Sequence, residues 1–355
     1  MIEIVRAGLL TTVQDAGRPG YRHLGVALGG ALDALALEAG NRLVGNAPGA
    51  AALEVTLGPL ALRFSKPTRI AIAGTDFGAM LGAPGYAEPV WSWWSLPVRA
   101  GDELTLQPAR YGMRGYVCVA GGIDVPAVLG SRSTDLSAGF GGLDGRALKD
   151  GDHLPTGVPA RARACLAPDA PAFGVKAPAW CAFAQIDEPH HRRGRHPGGM
   201  PWAMPVRVLP GPEYASFTPE AQRALWSDEW LVTPNSNRMG YRLSGTALER
   251  ARPVELLSHA VLPGTIQVPP EGQPIVLMRD AQTTGGYPKI GVVVEADLWK
   301  LAQARLNGGL RFVRTTPAEA RHAREEERAY LRQIDVAIAM RDEHEARRRA
   351  ASAGS

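Results

Sequence analysis

The sequence predicts a mainly β protein built from two lobes, and three observations carry that prediction. Gly 41 and Pro 29 in 355 residues supply turns at short intervals, which favours many short strands over long helices. Between the turns, short runs rich in β-branched and aliphatic side chains recur at Ile2–Val5, Arg69–Ala73, Glu103–Gln107, Gly115–Val119, Val206–Leu209 and Thr265–Val268. The third observation is a single break, "DEPHHRRGRHPGGMPWAM" (187–204), where charge, Gly and Pro cluster between apolar segments. A β-rich unit before it and another from about Val206 to Arg314 make two barrel-like or sandwich-like lobes. The expected division is 1–195, 205–315, and a C-terminal helix with a disordered tail over 316–355. Chain order does not require either lobe to be continuous.

Two local signals refine the elements. "AGDELTLQ" (100–107) and "DGDHLPTG" (150–157) each place Gly-Asp before an apolar step, as a tight turn requires. "GALDALALEAGNRLVGN" (30–46) puts Leu32, Leu35, Leu43 and Val44 near helical spacing and ends on Gly45. The segment from about Pro317 to Arg349 is rich in Ala, Glu and Arg and weakly apolar on one face, so it packs partially or extends from the body.

Composition narrows the function classes. Hydrophobic residues at 45% and charged residues at 21% belong to a soluble globular chain. The net charge of +4 is concentrated in "HHRRGRH" (190–196) and "ARRRAASAGS" (346–355), a linker and a terminus, so no nucleic-acid partner is expected. Cys118, Cys165 and Cys181 show no CxxC spacing and no even pairing, which predicts reduced, buried thiols and no metal. No export signal and no apolar run of about 18 residues is present, so a cytoplasmic protein without a membrane partner is expected.

Four polar clusters interrupt this β pattern. "TTVQDAGRPGYRHLGV" (11–26) holds Gln14, Asp15 and Arg18, either a site or a loop in which Asp15 caps and Arg18 pairs with it. "VAGGIDVPAVLGSRSTDLSAGFGGLDGR" (119–146) sets Arg132 among Ser133, Thr134 and glycines, a pattern that presents N–H groups and a guanidinium to an anion. "NSNRMGYRLSG" (235–245) offers Arg238 and Tyr241, with Arg238 suited to a two-pronged grip on a carboxylate. The fourth is "GTIQVPPEGQPIVLMRDAQTTGGYPKIGVV" (264–293), with Gln267, Gln273, Asp280, Gln282, Thr283, Thr284, Tyr287 and Lys289. A turn needs its Gly and Pro but not an acid, amides, hydroxyls, a phenol and an amine together. GxxxxGK[ST], GxSxG and HExxH are all absent, and spacing alone reaches an anion- or amide-binding two-lobed β protein.

In one order, these motifs together with "ADLWKLAQ" resemble the biotin-dependent carboxyltransferase family over about residues 1 to 320. That family takes in KipA-type proteins (allophanate hydrolase subunit 2), the carboxyltransferase part of urea carboxylase, and the C subunit of bacterial 5-oxoprolinase. The resemblance implies two cyclophilin-like β-barrel lobes with a cleft between them. It also implies a subunit of an ATP-dependent complex that opens 5-oxoproline to glutamate, with KipI-like and lactam-utilisation proteins as partners. No Met-Lys-Met biotinylation context, ATP-grasp or P-loop segment is present, so ATP would be used by the complex and biotin would need a carrier in a partner. The alternatives are carboxyl transfer from carboxybiotin to a urea-like amide, or a non-catalytic antagonist of a KipI-like kinase inhibitor. Under the first reading, Asp280 or Tyr287 carries a proton and Lys289 is an electrostatic partner. The remaining polar residues named above hold the substrate.

Overall fold

The computed structural model describes residues 1–159, 164–167, 169–178, 203–252 and 256–353. Cys181, the "HHRRGRH" run and most of the expected boundary lie outside them. The chain divides into two compact units that interleave in sequence. The first takes Met1–Gly17, Gly29–Phe183 and Arg328–Ser355; the second takes Arg18–Leu28 and Ala184–Glu327. No helix among the described residues is long and apolar enough to cross a membrane.

The first unit holds two six-stranded sheets. Its strands are β1 (Ile2–Arg6), β2 (Leu10–Gln14), β3 (Ala52–Thr56), β4 (Leu60–Phe64), β5 (Thr68–Gly74) and β6 (Met80–Ala83). They continue with β7 (Tyr86–Pro89), β8 (Trp94–Val98), β9 (Glu103–Leu106), β10 (Arg114–Val119), β11 (His153–Leu154) and β12 (Phe173–Gly174). One sheet runs β11-β1-β4-β9-β6-β7 and the other β12-β8-β5-β10-β3-β2. Alternation decides which core a side chain joins: Ile2 and Ile4, Leu60 and Leu62, Ile70 and Ile72, and Val117 and Val119 meet in one, while Ala71, Ala73, Tyr116 and Cys118 join another. Each such side chain contributes about 1.5–3 kcal/mol by leaving water.

Helix α1 (Ala34–Leu43) starts where Asp33 accepts a 2.9 Å hydrogen bond from the Ala36 N–H and ends as Gly45 turns at φ 75°. Its Leu35, Leu37 and Leu43 pack with Tyr116, Cys118 and Cys165. Cys118 and Cys165 are buried free thiols, and burial pushes the Cys118 thiol up.

The two Gly-Asp turns are the same device used twice. Gly101 and Gly151 have φ 88° and 85°, and the Asp102 and Asp152 carboxylates each accept at 2.8 Å from the N–H three residues earlier. Asp152 is also gripped by both terminal nitrogens of Arg146, at 2.7 and 2.9 Å, which together with its N–H bond holds its pKa below the ordinary aspartate value. A lowered folded pKa gives stability that is present above the ordinary value and lost as pH falls through the folded one. Asp152→Asn keeps the shape and is expected to cost about 1 kcal/mol near pH 7. Thermal melts should show that difference disappear in strong acid; an equal difference there would remove the ion pair as its cause.

The second unit is a closed seven-stranded barrel. Its strands are β13 (Met204–Pro210), β14 (Trp230–Val232), β15 (Gly240–Ser244), β17 (Thr265–Gln267), β18 (Ile275–Leu277), β20 (Lys289–Val293) and β21 (Gly309–Arg314). They close in the order β13-β20-β17-β18-β15-β14-β21, with β13 and β21 the parallel pair. A short ribbon of β16 (His259–Ala260) and β19 (Thr284–Gly285) stands beside it. Among the described residues this unit also holds the helices α2 (Pro219–Ser227) and α3 (Leu298–Gln303). Trp230 and Phe312 fill its interior with rings 6.2 Å apart.

The last helix, α4, runs Pro317–Ala353. Leu331, Ile334 and Ile338 sit at helical spacing and are buried against α1 and Phe173. The expected tail therefore packs on the first unit through most of its length, and helix extends through 353 where disorder was expected.

Candidate functional site

In the first unit, Gln14, Asp15, Arg132, Ser133 and Thr134 come together from segments more than a hundred residues apart. Asp15 Oδ1 accepts from the Gly17 N–H at 2.7 Å, Ser131 Oγ at 2.6 Å and Ser133 Oγ at 2.5 Å, while Oδ2 accepts from the Arg132 N–H at 2.6 Å. The hydroxyl-rich segment thus binds a carboxylate as its composition predicts, but the carboxylate is the chain's own. The Arg132 guanidinium turns outward to the Val125 carbonyl and Asp124. Gln14 donates to Thr12 Oγ1 and the Thr134 carbonyl at 3.1 Å, and its Oε1 is buried without a partner among the described residues.

Beside this lies a buried polar set with no sequence signal beyond polar residues in strands. Glu54 Oε2 accepts from the Leu32 N–H at 2.9 Å and from the Tyr116 hydroxyl at 2.7 Å. Arg114 Nε lies 3.8 Å from Glu54 Oε1. Burial first, then Glu54 and Asp33, raise the Tyr116 pKa well above its ordinary value, so the phenol stays a donor.

In the second unit the predicted residues separate into two environments. Arg238 and Asp280 are buried and hold each other through two hydrogen bonds of 2.7 and 3.0 Å. The fork expected to hold a substrate carboxylate is filled by Asp280, and Asp280 is committed to a cation instead of standing ready to carry a proton. Tyr241 is a barrel-core residue at 1% exposure, and Gln273 clamps the Gly245 backbone with bonds of 2.9 and 3.1 Å. Arg18 is fully buried, its N–H closing the 18–28 segment on the Leu28 carbonyl. Gln282 and Thr284 are exposed, Thr283 is half-buried, and Tyr287 is 47% exposed.

The other environment surrounds Lys289. It faces Gln267 across the β17–β20 ladder, and both are buried. Lys289 Nζ donates 2.9 Å to the Gly285 carbonyl and lies 3.1 Å from His259 Nδ1. Glu213 brackets the residue: its Oε2 accepts from the Lys289 N–H at 2.8 Å, and its own N–H donates to the Lys289 carbonyl at 3.3 Å. Burial lowers the Lys289 pKa, partly opposed by the Glu213 charge. Gln267 Nε2 is buried with no hydrogen-bond partner among the described residues, a costly state for an amide unless something fills it. A Cβ on Gly285 would collide with that amide, so the glycine is what leaves the space.

Lys289 and Gln267 were legible as candidates, whereas His259 and Glu213 were not. His259 lies in "LLSHAVL" with no charged neighbour, and Glu213 sits 76 residues from Lys289. Among the described residues, no group of three or more His, Cys, Asp or Glu is placed to hold a metal. A groove of about 730 Å³ in the first unit, lined by Leu81, Tyr86, Pro97 and Arg99, includes none of the predicted residues.

Residues 24–314 match the family described as "Carboxyltransferase domain, subdomain A and B". The chain belongs to the carboxyltransferase family. Within it, the 5-oxoprolinase C subunit of Escherichia coli (strain K12) is 46% identical over 334 residues, covering 94% of this chain and 97% of that protein. Urea amidolyase of Lachancea kluyveri is 32% identical over 94% of this chain, which corresponds to 18% of that much longer protein. The crystal structure of the Kluyveromyces lactis urea carboxylase matches 94% of this chain and 29% of that one, with a TM-score of 0.79 and 29% identity. The family's shared region is thus nearly the whole of this chain.

Proposed function

We propose that the chain is the C subunit of an ATP-dependent 5-oxoprolinase, the complex that opens 5-oxo-L-proline to L-glutamate, and that the Lys289–Gln267 site holds the lactam carbonyl. The observation that supports this reading most is two donor groups meeting at Gly285. One is a buried ammonium and the other a buried amide N–H₂ without a partner among the described residues. A lactam carbonyl is resonance-stabilised, and its attack builds negative charge on oxygen. Preorganised donors in a dry site each contribute about 2.7–4 kcal/mol toward stabilising that charge. End-to-end similarity to a protein named as the C subunit of 5-oxoprolinase supplies the substrate class. The nucleotide is assigned to KipI-like and lactam-utilisation partners, since the sequence has no nucleotide motif.

A second reading has a specific observation behind it, the similarity to urea amidolyase. A urea-like amide receiving a carboxyl group also presents a carbonyl oxygen to two donors. The decisive experiment is co-purification with the two partner proteins, followed by measurement of glutamate from 5-oxoproline and ATP. Activity of the trio, insensitive to avidin, supports the first reading; dependence on a biotinylated carrier selects the second. Glutamate release by the isolated chain would overturn the assignment of ATP chemistry to the partners.

Gly285→Ala tests the site itself. The Gln267 amide is the flexible end of a side chain and can yield, so folding should change little. Activity of the complex is expected to fall on the order of 10-fold or more, because displacement by about 1 Å spoils positioning. Full activity with an unmoved melting temperature would take Gln267 out of the site.

A further inference from the structure

Lys289 is 3% exposed, and an amine closed off from water changes its charge only through a neighbour that reaches solvent. Its contacts among the described residues offer one titratable route. The Gly285 carbonyl accepts only, and Glu213 spends Oε2 on the Lys289 backbone. His259 touches Nζ with Nδ1 at 3.1 Å, and its side chain is 46% exposed. The same Nδ1 lies 3.1 Å from the Leu257 carbonyl. These neighbours make opposite demands, because the carbonyl needs a proton on Nδ1 whereas the ammonium needs its lone pair. On the ring's other side, Nε2 is 3.8 Å from Glu213 Oε1, too long for a direct hydrogen bond.

We infer that His259 is the proton exchange point of this site, relaying protons between the buried Lys289 amine and solvent; the inference rests on the assignment of the site to Lys289 and Gln267. In the forward step the Lys289 ammonium gives one proton to Nδ1 as Nε2 releases its own to water. One proton leaves the pair, and the new Nδ1–H turns to the Leu257 carbonyl. In the return step Nε2 takes a proton from water and Nδ1 hands its proton back to the amine. No electrons move and no co-reactant is consumed. Among the described residues, the charged group facing this pair is Glu213. His259 acts through Lys289 and is a positioning residue.

The test has two arms. In the assembled complex, His259→Ala is expected to lower kcat on the order of 10²-fold with KM nearly unchanged, to shift the pH profile, and to regain activity with added imidazole. Full kcat in the variant, or a loss that imidazole does not restore, overturns the relay. The second arm needs no activity: the chain has five lysines, so ¹⁵N-lysine NMR can follow the Lys289 amine, assigned by its loss in Lys289→Met. The wild-type amine should titrate in coupled steps with His259, and in one step in His259→Gln. An unchanged titration overturns the inference. Coupled titration in a wild-type complex that does not open 5-oxoproline keeps the relay and overturns only the proposed substrate.

Discussion

Lys289→Met is expected to remove the activity of the assembled complex, by about 10²–10⁴-fold in kcat/KM, without lowering the melting temperature by more than a degree or two. Methionine keeps the unbranched apolar stem and deletes the amine whose charged form is disfavoured by burial. The folding cost is one lost hydrogen bond to the Gly285 carbonyl, about 1 kcal/mol, set against relief of that desolvation. The pH dependence carries a sign. Folding lowers the lysine pKa, so between the folded value and the ordinary lysine value the unfolded chain holds more protons than the folded one. Wild-type stability therefore rises with pH in that window, and the variant should show a shallower rise. A large fall in melting temperature would make Lys289 a structural residue; retained activity would move the chemistry elsewhere.

Arg238→Ala is expected to have the largest effect on folding, about 3–5 kcal/mol, because it takes from the buried Asp280 carboxylate the guanidinium that grips it. That corresponds to a fall of roughly 10 °C in melting temperature. Replacing both partners, as Arg238→Met with Asp280→Leu, should recover most of it, since an apolar pair needs no charge compensation. Were Arg238→Ala to melt like the wild type and lose only activity, the arginine would belong to the substrate, as its motif alone had implied.

These two residues show how far the sequence reaches. Runs of β-branched and aliphatic residues at Ile2–Val5, Arg69–Ala73 and Gly115–Val119 placed β1, β5 and β10 to within a residue or two, because strand propensity is a property of neighbours along the chain. The helix near 30–46 formed as Ala34–Leu43, since capping by Asp33 is equally local. The C-terminal stripe of Leu331, Ile334 and Ile338 was harder to see, diluted by Arg and Glu on every turn.

Within the fourth motif, the sequence could show only that an acid, an amide and an amine share a segment. Which of them is spent and which is available was decided by residues far away in the chain. Asp280 met Arg238 from 42 positions off and became half of an ion pair. Lys289 met His259 from 30 positions off and Glu213 from 76, and became a buried amine with an exposed imidazole beside it. By itself the sequence determined several of the strands, the Gly-Asp turns and the family. The tertiary structure alone decided the chemistry of each polar group, because charge state and hydrogen-bonding capacity depend on burial and through-space distance, and no local pattern encodes either.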